Sequence, residues 1–428
     1  MKLVISSNAS LQSKDVPKYL TYYILLLPFF FGCFIDLLGL PGALRYTVDA
    51  AWCSLAVLAL RREKLVFQRN LLPLLCLVVI FFLYTLVCIL FRMQSPVWYL
   101  WGFRNNFRFY AAFFAFACLL EEGDIENVFR GLDALFWINI AVSLVQFFAL
   151  GYQQDLLGGI FGVERGRNAA YTIFFFLLML LRSMLSMMNG REPLSKCLLR
   201  CAAALLVAAL AEMFAFFLMF VLVFALSAVL TRFSWKKCLL FLTVAIAFSV
   251  CSSLLLEMFG EGSRLTPEII FRRLFAENYA TKDDLGRLTA IPTLSGTILT
   301  GLPDRLFGLG LGNCDTSTFA LCNSDFYRQY SHLHYTWFLS AFLFLETGYV
   351  GLGLYLLFFA VCLTQALRLR HRGGNLLYCQ MGAIMSVMCM VLTFYNSALR
   401  AEGGYMAYFA LGLPFVRRQP PAETSGEP

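Results

Sequence analysis

Apolar runs alternate with short polar connections along most of the chain. A helix crossing a hydrocarbon core needs about 20 apolar residues, with a range of roughly 17–25. Segmentation on that basis predicts about twelve spans, at residues 20–40, 46–60, 71–91, 110–120, 132–150, 170–187, 198–211, 213–230, 238–255, 337–367, 376–395 and 403–415. Several are short. The run 198–230 is too long for one span and barely enough for two, and Glu212 marks the expected fold point. The predicted fold class is all-α, a polytopic transmembrane helix bundle. It divides into an N-terminal segment (1–19), a first group of spans (20–256), one large loop (257–335), a last group of spans (336–416) and a polar, proline-containing tail (417–428) expected to be disordered.

Charge orients these spans, because Lys and Arg beside a span are retained in the cytoplasm. Arg61, Arg62, Lys64 and Arg69 follow the second span, Arg182, Arg191, Lys196 and Arg200 the sixth, and Arg232, Lys236 and Lys237 the eighth. Arg368, Arg370 and Arg372 follow the tenth, and Arg417 and Arg418 the twelfth. Only the connection after the fourth is acidic. Both termini are therefore expected in the cytoplasm and the loop 257–335 outside it, its own arginines being no obstacle because long loops cross regardless of charge. Apolar residues within the loop, such as Phe259, Ile270, Leu274, Ile291 and Leu294, predict short helices there.

Composition sharpens the class. Hydrophobic residues make up 60% and charged residues 14%, more apolar surface than a water-soluble chain of this length could hide, so lipid is the expected solvent. The formal charge of +8 falls between apolar runs, which argues against a nucleic-acid partner. No small-residue cleavage site follows the first apolar run, so the first span reads as an uncleaved anchor. Most cysteines lie in or beside apolar runs, where Cys behaves as a small hydrophobe. Cys314 and Cys322 share a polar loop, where a disulfide and two free thiols are both open. No CxxC or HxxxH metal spacing occurs, and no cofactor motif is evident. Gly308, Gly310 and Gly312 lack the strand and helix context of a nucleotide loop and read as a turn that brings backbone close to its neighbours.

Four local motifs lie on the predicted outer side: Trp101-Gly-Phe-Arg-Asn-Asn-Phe-Arg108, Asp155-Leu-Leu-Gly-Gly-Ile-Phe-Gly162, Phe307-Gly-Leu-Gly-Leu-Gly-Asn313, and His332-Leu-His-Tyr335 leading into Leu345-Glu-Thr-Gly-Tyr-Val-Gly-Leu352. In their order, side and span pattern they resemble the O-antigen polymerase and ligase superfamily of bacterial envelope enzymes, over nearly the whole chain. The resemblance implies a GT-C-like, metal-independent, inverting glycosyltransferase of the bacterial cytoplasmic membrane. Its site would face outward and act on undecaprenyl-diphosphate-linked glycans, among membrane lipids and other polysaccharide-assembly proteins. One departure stands out. The family pattern has a His-Asn pair about nine residues before Glu-x-Gly, whereas His334 lies twelve residues before Glu346. On a helix His334 would point to a similar face one turn further out.

Such a transfer needs cations for the diphosphate leaving group and a base for the sugar hydroxyl. Arg104, Arg108, Arg165, Arg287 and Arg400 are the candidate diphosphate ligands, since a guanidinium donates paired hydrogen bonds and stays charged. For Arg104 and Arg108 the competing reading is snorkelling to lipid headgroups. Arg272 and Arg273 read better as a solvated helix face. His334 and His332 are the candidate bases, and Glu346, an ionisable residue inside an apolar run, is the third catalytic candidate, with a helix-packing hydrogen bond as its alternative. A repeat-unit polymerase is the leading expectation. A ligase passing finished glycan to an envelope acceptor shares the fold. A flippase or transporter is the alternative of another class, weakened by the lack of matched Gly- or Pro-broken spans.

Overall fold

A computed structural model of the chain describes residues 16–61, 68–164, 166, 168–231, 285–317 and 319–417, with isolated positions between 235 and 253. Among the described residues every regular element is helical. The longer helices are α1 (Val16–Leu26), α2 (Thr47–Arg61), α3 (Leu72–Arg92), α4 (Pro96–Leu119), α5 (Glu122–Phe148), α6 (Ile173–Met188), α7 (Leu194–Leu210) and α8 (Phe214–Val229). Three short helices follow in the loop, α9 (Ala290–Thr297), α10 (Leu302–Phe307) and α11 (Asp325–Tyr330). Then come α12 (Leu339–His371), α13 (Leu376–Tyr395) and α14 (Gly404–Gly412).

Among the described residues five stretches are long and apolar enough to cross a membrane: Arg69–Arg92, Glu122–Phe148, Asn168–Met188, Leu339–His371 and Leu376–Tyr395. α3 shows why the surrounding solvent must be apolar. Leu74, Leu77, Phe81, Thr85 and Cys88 face the interior. The opposite face carries Val79, Ile80, Leu83, Val87 and Leu90, all exposed. A helix apolar all round yet open on one side suits lipid and not water. The interior is packed with aromatic rings. Tyr110 and Phe113 of α4 meet Phe358 of α12 edge to face, with centroids 4.8 and 5.4 Å apart, and Phe109 stacks on Tyr408 of α14 at 5.5 Å.

The run 198–230 breaks as expected: α7 and α8 are separated by a reversal at Glu212, whose φ is 50°. The first motif is placed differently. Residues 101–108 lie inside α4, which begins at Pro96 instead of near residue 110, because Ser95-Pro96 opens a helix whose apolar face continues unbroken into the aromatic core. Residues 254–284, with Arg264, Arg272 and Arg273, lie outside the described residues, as do Arg62, Lys64, Arg232, Lys236, Lys237, Arg418 and the rest of the tail.

The connections sort to two ends. At one, Lys18 pairs with Asp124, Glu122 N–H donates to the Arg417 carbonyl at 3.3 Å, Asn375 Nδ2 donates to Glu122 at 3.1 Å and Asn189 Nδ2 to Gln380 at 2.8 Å. The other end gathers the loops after α1, α3, α5, α7 and α13 together with the loop 285–338. There Arg45 pairs with Glu164 at 2.7 Å, Arg92 with Asp304 at 2.7 Å, and Gln154 Nε2 donates to Glu212 at 2.9 Å. All four motifs and every described candidate residue lie at or next to this second end.

Candidate functional site

The glycine-rich segment 308–312 is wedged between α4 and α12. A Cβ on Gly102 of α4 would sit 2.4 Å from Gly312 N, and one on Gly312 would sit 1.9 Å from the Trp98 carbonyl, so backbone touches backbone and only glycine fits. On the other side the Glu346-Thr-Gly348 sequence bends α12. Gly348 has φ 63° and ψ −168°, a conformation essentially restricted to glycine, and a Cβ there would lie 2.3 Å from the Leu306 carbonyl. The kink releases carbonyls from the helix ladder, and the loop satisfies them: Leu309 N–H donates to Leu345 O at 2.8 Å and Gly310 N–H to Glu346 O at 2.9 Å.

Beside this wedge runs a chain of alternating charge. The Arg104 guanidinium grips Asp49 of α2 through Nε and Nη2, the shorter contact 2.6 Å, and gives Nη1 to Asn105 Oδ1 at 2.6 Å. Its plane lies over Tyr46 and Trp101, 5.2 and 5.0 Å from their centroids. Asn105 Nδ2 donates to Asp315 Oδ2 at 2.7 Å, and the same oxygen accepts from Arg400 Nη2 at 2.7 Å. Arg400 in turn stacks on Phe342, 3.5 Å from the ring centroid. Arg108 reaches Glu402 at 3.3 Å and the Arg400 carbonyl at 2.8 Å, and Tyr171 donates its hydroxyl to Glu402. Burial alone would raise the Glu402 carboxyl, but Arg108, the Tyr171 hydrogen bond and Arg45 outweigh it and hold it at about 2.

The sequence candidates divide accordingly. Arg108 is 3% exposed with its donors turned inward, and Arg104 has all three nitrogens engaged, so both serve first as framework. Neither is the headgroup-snorkelling residue of the competing reading, because their guanidinia point into the protein. Arg400 is as engaged as Arg104, with 15% and 18% of their side chains exposed. Arg287 lies over Tyr395 and Phe338, 4.8 and 5.8 Å from their centroids. Phe338 and Phe342 are one turn apart at the start of α12, Phe342 N–H donating to Phe338 O at 3.0 Å, so Arg287 and Arg400 rest on successive rings of one face. Arg165 lies outside the described residues, as does Arg167.

His334 is not on a helix. It takes a left-handed conformation, φ 50° and ψ 28°, between two single turns, and α12 starts only at Leu339, so the one-turn-further-out argument from helical spacing does not hold. Its ring stacks on Trp337 with centroids 4.1 Å apart. His332 lies beside Tyr330, 6.4 Å between centroids. Glu346 is fully buried, and its Oε1 accepts from Gly312 N–H at 2.8 Å and Cys314 N–H at 3.3 Å. The adjacent Cys314 carbonyl accepts the Tyr335 hydroxyl at 2.7 Å. Cys314 and Cys322 are both free thiols, which closes the disulfide alternative in this conformation. Burial, with Glu346 and Asp315 close by and Arg400 opposing, pushes the Cys314 thiol well up.

Sequence reasoning missed Asp49, Asn105, Asp315 and Glu402. Asp49 and Glu402 did carry a signal, as ionisable residues at the edge of apolar runs, where charge is costly unless paired. Asn105 carried none beyond its place inside the first motif, and Asp315 none beyond lying two residues after the third. Among the described residues no group of three His, Cys, Asp or Glu side chains is placed to hold a metal ion. Instead each acid of this network is matched to an arginine, Asp49 to Arg104, Asp315 to Arg400 and Glu402 to Arg108, and Arg287 and the histidine turn lie beside it. Compared with protein-family models and with curated proteins, the chain matches none.

Proposed function

We propose that the protein is a polymerase of undecaprenyl-diphosphate-linked oligosaccharide repeat units, acting at the outer face of a bacterial cytoplasmic membrane. The observation that carries this reading is the convergence of three sequence-distant motifs, Trp101–Arg108, Phe307–Asn313 and the Glu346-Thr-Gly348 kink, on one arginine-rich end of the bundle. Arg400 and Arg287 hold the donor diphosphate; their guanidinia rest on Phe342 and Phe338, successive rings at the start of α12. Arg104 and Arg108 brace them. The acceptor hydroxyl gives its proton to His334, its oxygen bonds to the anomeric carbon, and the carbon–oxygen bond to the diphosphate breaks with inversion. The lipid diphosphate leaves with the extra negative charge, which the arginines stabilise.

The test is genetic and biochemical. In the producing strain, Arg287→Ala and His334→Ala at normal protein level should abolish long chains and leave single repeat units on the carrier lipid. Normal chain length in either variant refutes the role given to that residue, and in both it refutes the polymerase. Long chains retained on the carrier would transfer the reading to a ligase. Lipid-linked repeat units changing sides without lengthening would make it a flippase.

A further inference from the structure

The Glu346 carboxylate does its work through the loop it holds. Four backbone N–H groups between Leu309 and Cys314 end on the two residues before the kink: Leu309 on the Leu345 carbonyl, Gly310 on the Glu346 carbonyl, and Gly312 and Cys314 on the single oxygen Oε1. The next residue is Asp315, whose Oδ2 receives both Asn105 and Arg400. Among the described residues no side chain other than Glu346 supplies an acceptor to the loop's N–H groups at positions 309–314. The second carboxylate oxygen, Oε2, is buried without a hydrogen-bond partner. One acceptor atom at the right reach is therefore what the contact uses.

We propose that Glu346 is a positioning residue, not an acid or base of the reaction: it locks the glycine-rich loop against α12 and thereby aims Arg400 through Asp315. The activity part of this inference rests on the polymerase reading, but the lock itself does not.

Two substitutions separate reach from the carboxyl group itself. Glu346→Gln keeps an acceptor oxygen at the same distance and removes the carboxyl group. Glu346→Asp keeps the carboxyl group and withdraws the oxygen by one methylene, roughly 1.5 Å, beyond hydrogen-bond reach of Gly312 and Cys314. Opening of the loop is read on the full-length protein in detergent, by mass-spectrometric mapping of N-ethylmaleimide on Cys314, which is buried in the locked state. Glu346→Asp should speed Cys314 modification by about tenfold or more, since two hydrogen bonds to a buried acceptor are lost, whereas Glu346→Gln should stay within about threefold of wild type. Long-chain product should follow the same order, kept with Gln and lost with Asp, and raised protein level should not restore it.

Unchanged Cys314 protection in Glu346→Asp would overturn the lock. A Glu346→Gln protein that protects Cys314 yet makes no polymer would overturn the positioning role and give the carboxylate a chemical one. If Arg287→Ala and His334→Ala both leave polymer intact, the polymerase reading fails, and the labelling result still decides the lock.

Discussion

Replacing Gly348 with alanine attacks the joint between α12 and the glycine-rich loop at one atom. The new methyl group would lie 2.3 Å from the Leu306 carbonyl oxygen and 2.4 Å from its carbon, where ordinary contacts begin near 3.4 Å. Holding a non-glycine residue at φ 63°, ψ −168° costs about 1–3 kcal/mol. Relieving the overlap by moving α10 or the loop costs a further ~1–3 kcal/mol. The sum, about 2–6 kcal/mol, is a large part of the stability of a typical fold. Gly353, five residues on in the same helix, supplies the control: a Cβ there meets nothing within 4 Å, so alanine should be neutral or stabilising by up to about 1 kcal/mol. The assay is the fraction of monodisperse protein surviving graded heating in one detergent. Gly348→Ala should melt several degrees below wild type, and Gly353→Ala at or slightly above it. Coincident melting curves for the two variants would refute the kinked joint.

Acid should loosen the same end of the bundle. The Glu402 carboxyl titrates at about 2 in the folded protein against an ordinary 4.5, so its contribution, about 3 kcal/mol, is complete above pH 4.5 and is lost as pH falls from there towards 2. Melting temperatures taken between pH 3 and 7 should show this slope in wild type and a flatter one in Glu402→Gln; parallel profiles would remove Glu402 from the account. At the opposite end, buried Arg200 binds Glu192 at 2.5 Å and Asp133 at 2.8 Å. Arg200→Ala leaves Asp133 to Arg182 and Glu192 to Ser183 and Lys196, and should cost about 1.5–3 kcal/mol, lowering yield and melting temperature while leaving product per folded molecule unchanged. Wild-type yield would contradict that pairing.

Most of the secondary structure was legible in the sequence because burying or lipid-exposing a helix demands long apolar runs whatever their neighbours do. Hydrophobic runs announced α3, α5, α6, α12 and α13, and Glu212 announced the reversal between α7 and α8. The start of α4 was misplaced because arginines and asparagines at 104–108 look like loop residues until their partners are known. Buried beside Asp49, Asp315 and Glu402, those same side chains are fully compatible with a helix inside the bundle. His334 failed for a related reason: spacing along a chain specifies a face only if the segment is helical, and here a left-handed residue and two single turns intervene.

The amino-acid order by itself determined that the protein is helical and belongs among lipids, since those depend on composition and on patterns local to each run. It also brought the arginines, the histidine turn and the glycines into view as candidates. Only the tertiary structure decided which acid each arginine meets, and that Glu346 accepts hydrogen bonds from a loop. Those outcomes turn on pairs such as Asn105 with Asp315 or Gly308 with Glu346, hundreds or tens of residues apart in sequence. A residue's charge and shape are set by its own chemistry, but its partner is set by how distant helices pack.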